Sequence, residues 1–95
     1  MSDVISAAVE ALNEKLQGGF DGTAKFVIEG EGAIMLDESG VRAGDEPADV
    51  TLTADADTFR DILEGEVNPT SAFMSGKLSV DGDMGLAMKL GSVLS

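Results

Sequence analysis

The residues of this chain that could do chemistry are almost all carboxylates. Eighteen Asp and Glu residues stand against six Lys and Arg, and there is no His and no Cys. Without His the chain lacks the commonest general acid or base and the commonest metal ligand, and without Cys it lacks thiolate nucleophiles, disulfides and Cys-ligated zinc. Two carboxylates could still work as acid and base, but no pattern selects a pair. The sequence therefore predicts no catalytic residues, no cofactor and no metal site.

Four short motifs resemble ligand-binding loops, and each lacks a required part. Gly30–Gly32 begins like a dinucleotide fingerprint, but Met35 occupies the third glycine position and a predicted strand follows instead of a helix. Ser75–Lys77 lacks the upstream glycine and the hydroxyl residue of a phosphate loop. Asp55–Asp57 and Asp81–Asp83 could begin calcium loops but lack the rest of the ligand pattern. We interpret these motifs as turns and helix caps.

Charge and length narrow the classes of partner. The net charge of −12 comes without the clustered basic residues that bind phosphates, so we expect no nucleic-acid partner. An anionic membrane would repel the chain on average, although a local patch at Lys77 and Lys89 leaves transient membrane contact open. There is no apolar run long enough to span a membrane and no signal peptide at Met1. We expect one cytoplasmic domain over residues 1–95, of which 43% are apolar.

The first two thirds of the chain predict a helix, a meander and a fourth strand. Six apolar residues recur at helical spacing and predict an amphipathic helix, with Ser2 or Asp3 as its N-cap and Gly18-Gly19 as its end. These residues are Val4, Ile5, Ala8, Val9, Leu12 and Leu16. Three period-two runs joined by short turns, at residues 23–29, 33–37 and 41–44, predict an antiparallel meander.

A clean alternating strand at residues 49–55 and a short helix carrying Phe59, Ile62 and Leu63 come next. Asp55 or Asp57 can cap that helix. Together with the segments that follow, this order predicts an α+β fold in which a single sheet carries its helices on one face.

The densest stretch runs from Asn68 to Leu94. Asn68 is a suitable N-cap before Pro69, Gly76 can end the short helix, and residues 77–81 alternate as a strand. In the final helix, from Asp83 to Leu94, the apolar residues cover an arc of roughly 220° at about 100° per residue. That arc is about twice as wide as one sheet face requires. The excess must face the protein's own core, a second protomer, a membrane or an apolar ligand.

The same stretch, NPTSAFMSGKLSVDGDMGLAMKL, closely resembles the signature of the sterol carrier protein type-two family of lipid-binding domains. Residues 48–53, followed by Phe59 and Leu63, resemble the strand and helix that precede this signature in the family. The resemblance implies one five-stranded, mostly antiparallel sheet with helices on one face, enclosing an apolar tunnel. It further implies non-catalytic binding or transfer of fatty acids, fatty acyl-coenzyme A, or sterol- or isoprenoid-like lipids.

The chain ends Val93-Leu94-Ser95 instead of in a Ser-Lys-Leu-like peroxisomal address, so we expect a cytoplasmic, bacterial-type member. Carried onto this chain, the resemblance predicts thirteen ligand-lining residues: Phe26, Ile34, Leu36, Val50, Leu52, Phe59, Leu63, Phe73, Met74, Met84, Met88, Leu90 and Leu94. A lipid headgroup could meet Lys77 or Lys89. The alternative function is an interaction or accessory module that presents an apolar substrate to a partner enzyme, or a homodimer formed through the last helix.

Overall fold

The computed structural model describes residues 3–16 and 20–94. It contains five strands and four helices within those residues, and their order along the chain agrees with the predicted order. The elements are α1 (Asp3–Leu16), β1 (Ala24–Glu29), β2 (Gly32–Asp37), β3 (Gly40–Ala43), β4 (Val50–Asp55), α2 (Ala56–Leu63), α3 (Pro69–Met74), β5 (Ser79–Gly82) and α4 (Met84–Leu94).

The five strands form one sheet in the order β3-β2-β1-β4-β5. The β1, β2 and β3 strands pair antiparallel, as does β4 with β5, whereas β1 and β4 run parallel with Phe26 opposite Leu52. The mostly antiparallel α+β sheet predicted from the sequence is therefore confirmed. The parallel pair arises because the segment after β3 returns across the sheet before β4 begins, which places β4 and β5 on the far side of β1.

Alternation along the central strands places every second side chain in the core. Ala24, Phe26 and Ile28 of β1 are buried, as are Val50 and Leu52 of β4. The helices cover this face side by side, since α1 packs over β2 and β3, α2 packs over β1 and β4, and α4 packs over β4 and β5. The ring of Phe26 contacts that of Phe59 on α2, with centroids 4.7 Å apart.

Two residues differ in burial from the pattern expected of their elements. Met35 alternates with Ile34 and Leu36 and so points to the other face of the sheet, yet it is buried. The segment after β3 covers it, since the Glu46 N–H lies 3.5 Å from the Met35 Sδ. Val4, predicted on the buried stripe of α1, is instead 37% exposed because α1 buries chiefly Ile5, Ala8 and Leu12.

Short polar side chains begin the later helices, as predicted. The Asp55 carboxylate accepts from the Thr58 N–H at 2.7 Å, and the Asn68 side chain accepts from the Thr70 N–H at 2.8 Å. Asp83 accepts from the Leu86 N–H at 3.1 Å at the start of α4. Each bond satisfies a backbone donor that the helix itself leaves unpaired. The predicted cap at Ser2 and the predicted stop at Gly18-Gly19 lie outside the described residues.

The fifth strand begins later than its alternation predicts. It starts at Ser79 instead of Lys77 because the N–H groups of Lys77 and Leu78 both donate to the Ala72 carbonyl at the end of α3. These two donors are therefore used to close α3 and are not available to the strand ladder. Only four residues remain to form β5 at the edge of the sheet.

We predict that Gly82→Ala destabilises the fold more than Gly30→Ala does. Gly82 has φ of 109°, and a Cβ there would overlap the Asp49 carbonyl oxygen and lie 3.0 Å from the Val50 Cα. Gly30 also has positive φ, but a Cβ there would have open space around it. We expect a loss of about 1 kcal/mol for Gly30→Ala from backbone conformation alone, and a clearly larger loss for Gly82→Ala. Equal losses in urea unfolding would contradict the close β4–β5 approach.

A second prediction concerns pH. The hydrogen bond from the Thr58 N–H lowers the pKa of Asp55 below its usual range. Because the pKa is lower in the folded state, the stabilisation is complete above the unfolded pKa of about 4 and is lost as the pH falls through the folded value. Asp55→Asn retains a capping oxygen but does not titrate. The difference in unfolding free energy between the wild type and this variant should therefore decrease below about pH 4, and a difference that stays constant down to pH 2 would contradict it.

Candidate apolar ligand site

An apolar groove lies between α3 and α4, with residues of β4 and β5 as its floor. Its volume is about 300 Å³. We call it the α3–α4 groove, and the residues that line it are Leu52, Pro69, Thr70, Phe73, Met74, Leu78, Val80, Met84, Ala87, Met88, Gly91 and Leu94. The groove is open to solvent, and an enclosed tunnel stays a prediction.

Large apolar side chains are exposed around this groove. Met74 is 80% exposed and Met88 73%, while Phe73 and Met84 are 42% and 48% exposed. Of the exposed large hydrophobic side chains in the described part of the chain, only Val4 lies elsewhere. Apolar exposure concentrated at one concave surface, instead of scattered singly, indicates a binding surface.

The geometry of α4 explains this exposure. Ala87, Leu90 and Leu94 of α4 are buried, and Met84 and Met88 lie farther around the helix, on the side facing α3. At Gly91 a Cβ would lie 3.9 Å from the Pro69 Cβ, so the small residue sits where α4 approaches the start of α3. The excess apolar arc predicted from the sequence therefore faces the α3–α4 groove instead of the protein core.

The lining of the groove carries no charge. Thr70 is the only polar side chain among the lining residues, and neither Lys77 nor Lys89 belongs to them. Lys89 lies elsewhere, since its ammonium is 2.9 Å from a carboxylate oxygen of Asp21 and 5.8 Å from the centre of the Phe20 ring. The groove therefore offers contact area and shape, with no charged anchor for a headgroup.

Displaced pKa values occur away from the groove. The side-chain hydrogen bond from Arg42 lowers the pKa of Asp37 on β2, a strand separated from β5 by β1 and β4. Asp55, the other carboxyl with a lowered pKa, caps α2. Both shifts arise from contacts that hold local structure. Among the residues that the structure describes, no group of three or more His, Cys, Asp or Glu side chains could hold a metal ion.

The thirteen residues predicted to line a ligand site fall into three places. Six line the α3–α4 groove: Leu52, Phe73, Met74, Met84, Met88 and Leu94. Five are buried in the core and are absent from its lining: Phe26, Ile34, Leu36, Val50 and Leu90. Phe59 and Leu63 instead line a cavity of about 260 Å³ between α1 and α2. Ligand contact by any of the thirteen stays a prediction.

Six residues of the groove lining are not among the thirteen predicted from the sequence: Pro69, Thr70, Leu78, Val80, Ala87 and Gly91. The alternation of β5 could have indicated Val80, because it pairs with Leu52 and shares its face of the sheet. Helical spacing relates Ala87 and Gly91 to Met84 and Met88, so they too could have been found. Pro69 and Thr70 carried no signal beyond their place at the start of α3.

The cavity between α1 and α2 has a different character. Apolar residues line it on both helices, among them Val4, Ala7 and Phe59, but Arg60 and Glu64 also belong to its lining. Arg60 contacts the Asp57 carboxylate at 3.2 Å. The cavity between α1 and α2 therefore has charged residues in its lining, whereas the α3–α4 groove has none. This difference helps a ligand-binding experiment to distinguish the two sites.

Comparison with known proteins agrees with the signature. The sequence pattern of the SCP-2 sterol transfer family matches residues 4–95. This chain belongs to that family. Hydroxysteroid dehydrogenase-like protein 2 of Xenopus laevis is 35% identical over 99% of the chain and 24% of its own length. Sterol carrier protein 2 of Rattus norvegicus is 44% identical over 70% of the chain and 11% of its own length. The chain spans about a quarter, or less, of these relatives.

Solved structures of SCP-2 proteins have the same fold. Sterol carrier protein 2 like 2 of Aedes aegypti matches with a TM-score of 0.79 and 21% identity, covering 95% of each chain. A second Aedes aegypti structure, sterol carrier protein 2 in complex with the C16 fatty acid palmitate, also has a TM-score of 0.79 and 21% identity, over 100% of this chain and 97% of that one. The resemblance and the fold class predicted from the sequence are confirmed. No helix in the described residues is long and apolar enough to cross a membrane.

A matched pair of substitutions on α4 tests the division between groove and core. Leu90 is buried and is absent from the groove lining, so Leu90→Ala should cost about 2–5 kcal/mol of unfolding free energy by leaving a cavity. Met88 is 73% exposed, so Met88→Ala should change it by less than about 0.5 kcal/mol. Denaturant unfolding measures both. A large loss for Met88→Ala would mean that this side chain belongs to the core.

Proposed function

We propose that this protein binds and transfers apolar lipids in the α3–α4 groove and performs no chemistry on them. The observation that carries the proposal is the placement of Phe73, Met74, Met84 and Met88, which are exposed around one uncharged concave surface. Leaving this much apolar area in water is unfavourable. A ligand that covers it would gain the corresponding free energy.

The size of the groove suits one lipid chain. Its volume of about 300 Å³ lies at the lower end of the range for small-molecule pockets. Transfer of one methylene from water contributes about 0.8 kcal/mol. Covering about ten methylenes would support micromolar affinity once the costs of ordering the ligand and side chains are subtracted. Methionine suits such a site because its unbranched side chain adapts to irregular apolar shapes.

The relatives support the ligand class. One SCP-2 protein with this fold is described in complex with palmitate, and the matching family is described by sterol transfer. For this chain we propose fatty acid, fatty acyl-coenzyme A, and sterol- or isoprenoid-like lipids as candidates. Because the lining carries no charge, the headgroup would stay in water at the mouth of the groove, and chain length would determine affinity more than headgroup charge.

We propose that residues 1–95 form one lipid-binding domain that acts in the cytoplasm and without a cofactor. The names of several relatives include a dehydrogenase, but this chain matches about a quarter of those proteins. Its own carboxylates offer no acid–base pair selected by burial or geometry. We therefore propose that the chain binds lipid and does not act on it. Nucleic acid is not proposed as a partner, because the chain itself has a net charge of −12.

The exposed methionines also suit a second function. A protein partner, such as an enzyme that receives the apolar substrate, could cover Met74 and Met88, or a second copy of the chain could do so through α4. Self-association would bring two chains of charge −12 together, which opposes a dimer at low ionic strength. Light scattering across protein concentration and salt distinguishes these cases, and a lipid-free dimer under all conditions would favour the interaction module over the carrier.

We predict that Met88→Asp reduces the affinity for palmitate by tenfold or more, that is by at least about 1.4 kcal/mol, because it places a charge in the uncharged groove. Displacement of a fluorescent fatty acid measures the affinity. Native mass spectrometry of the gently purified wild type should also show one bound lipid per chain. Palmitate should raise the melting temperature of the wild type through mass action.

Two control variants add the same charge at exposed positions outside the groove. Ser71→Asp changes α3 on the side away from the groove, and Ala7→Asp changes the cavity between α1 and α2. Both should bind palmitate with the affinity of the wild type. Loss of binding in Ala7→Asp but not in Met88→Asp would place the ligand in the other cavity. Absence of bound lipid and of thermal stabilisation across several lipid classes would contradict the carrier function.

A further inference from the structure

The four methionines that the structure describes divide sharply by exposure. Met74 and Met88 are 80% and 73% exposed on the rim of the α3–α4 groove, and Met84 is exposed beside them. Met35 is only 1% exposed beneath the segment that follows β3, and the Glu46 N–H is directed at its sulfur. Among these four methionines, an oxidant therefore reaches the thioether sulfur most easily at the proposed ligand site.

We propose that Met74 and Met88 are a reversible oxidation site that controls the affinity of the groove for lipid. In the reaction, the thioether sulfur attacks the terminal oxygen of a hydroperoxide, the O–O bond breaks and a sulfoxide S=O bond forms. The sulfur is oxidised by two electrons, and the peroxide is reduced to water or an alcohol. This inference rests on the proposed lipid-binding function, whose own test is binding by the unoxidised protein.

The lining of the groove explains why oxidation would weaken binding. A sulfoxide is polar and accepts hydrogen bonds, whereas the lining offers a single hydroxyl, that of Thr70, as a side-chain donor. In the ligand-free groove, water can hydrate the sulfoxides of Met74 and Met88 because both side chains reach solvent. A lipid chain would displace that water without replacing its hydrogen bonds, which carries a desolvation cost.

The coupling between oxidation and binding operates in both directions. If oxidised methionines disfavour the lipid, then bound lipid should cover the sulfurs and slow their oxidation. Methionine sulfoxide reductases reverse the modification. A dithiol reductant is oxidised to a disulfide, the sulfoxide is reduced to the thioether, and the sulfoxide oxygen leaves as water. The groove would thus release its lipid under peroxide stress and regain its affinity on reduction, with no change in the fold.

The experiment treats the whole chain with increasing hydrogen peroxide, with and without saturating palmitate. Peptide mapping by mass spectrometry follows each methionine, and displacement of a fluorescent fatty acid gives the dissociation constant. We expect Met74 and Met88 to oxidise at least about tenfold faster than Met35, in line with their exposure. At a dose that leaves Met35 unmodified and the melting temperature unchanged, the dissociation constant should rise by about tenfold or more. Palmitate should protect both residues, and methionine sulfoxide reductases should restore binding.

Variants separate the groove methionines from the rest of the chain. All variants are compared in a Met84→Leu background, because Met84 is a third exposed sulfur in the groove. Adding Met74→Leu/Met88→Leu should bring the ratio of dissociation constants after and before peroxide close to one, whereas adding Met35→Leu should leave the ratio of the background unchanged. Each protein is compared with itself, so a change in its starting affinity does not affect the result. Equal oxidation rates at Met35 and Met88, or an unchanged dissociation constant with Met74 and Met88 fully oxidised, would overturn the proposal. An unoxidised wild type that binds no lipid would refute the proposed function, and the oxidation switch with it.

Discussion

The structure depends on a mismatch between the apolar surface of α4 and the part of the sheet available to cover it. The helix rests on β4 and β5, and β5 has only four residues at the edge of the sheet. The neighbouring α3 helix has six residues. These short elements bury Ala87, Leu90 and Leu94 but leave Met84 and Met88 uncovered. The groove therefore forms where β5 and α3 are too short to cover the apolar surface of α4.

The rest of the chain keeps the fold stable although part of the apolar surface of α4 stays exposed. The core between the sheet and α2 includes Phe26, Phe59 and Ile62, which are almost fully buried, so stability does not rely on filling the groove. Side-chain caps at Asp55, Asn68 and Asp83 fix where the last three helices begin. The charge of −12 favours solubility and opposes self-association of a protein that exposes apolar side chains. The proposed ligand site therefore lies apart from the core residues beneath α2.

Local signals in the sequence predicted most of the fold. Period-two alternation identified the strands, helical spacing identified α1 and α4, and cap residues identified the starts of α2 and α3. The start of β5 was predicted too early because the amides of Lys77 and Leu78 close α3, and alternation alone does not reveal that competition. The burial of Met35 was also missed, since it depends on a segment more than ten residues away that folds over it.

The candidate site was predicted less completely than the fold, because its position also depends on contacts between residues distant in the sequence. Alternation shows which face of the sheet Phe26, Ile34 and Leu36 occupy, but not which helix lies above them. That depends on the parallel pairing of β1 with β4, which places β2 and β3 beneath α1, β1 and β4 beneath α2, and β4 and β5 beneath α4. Residues within the signature, such as Phe73, Met74 and Met88, lie together at the α3–α4 groove, and their contact with a ligand stays a prediction.

The central claim is that lipid binds against the uncovered methionines of the α3–α4 groove. Methyl resonances of ¹³C-labelled methionine report on this directly, because Met74, Met84 and Met88 line the groove and Met35 is buried outside it. During titration with palmitate, the three groove methyl signals should shift and saturate together while the Met35 signal stays in place. Saturable binding that leaves all three groove signals unshifted would contradict the account.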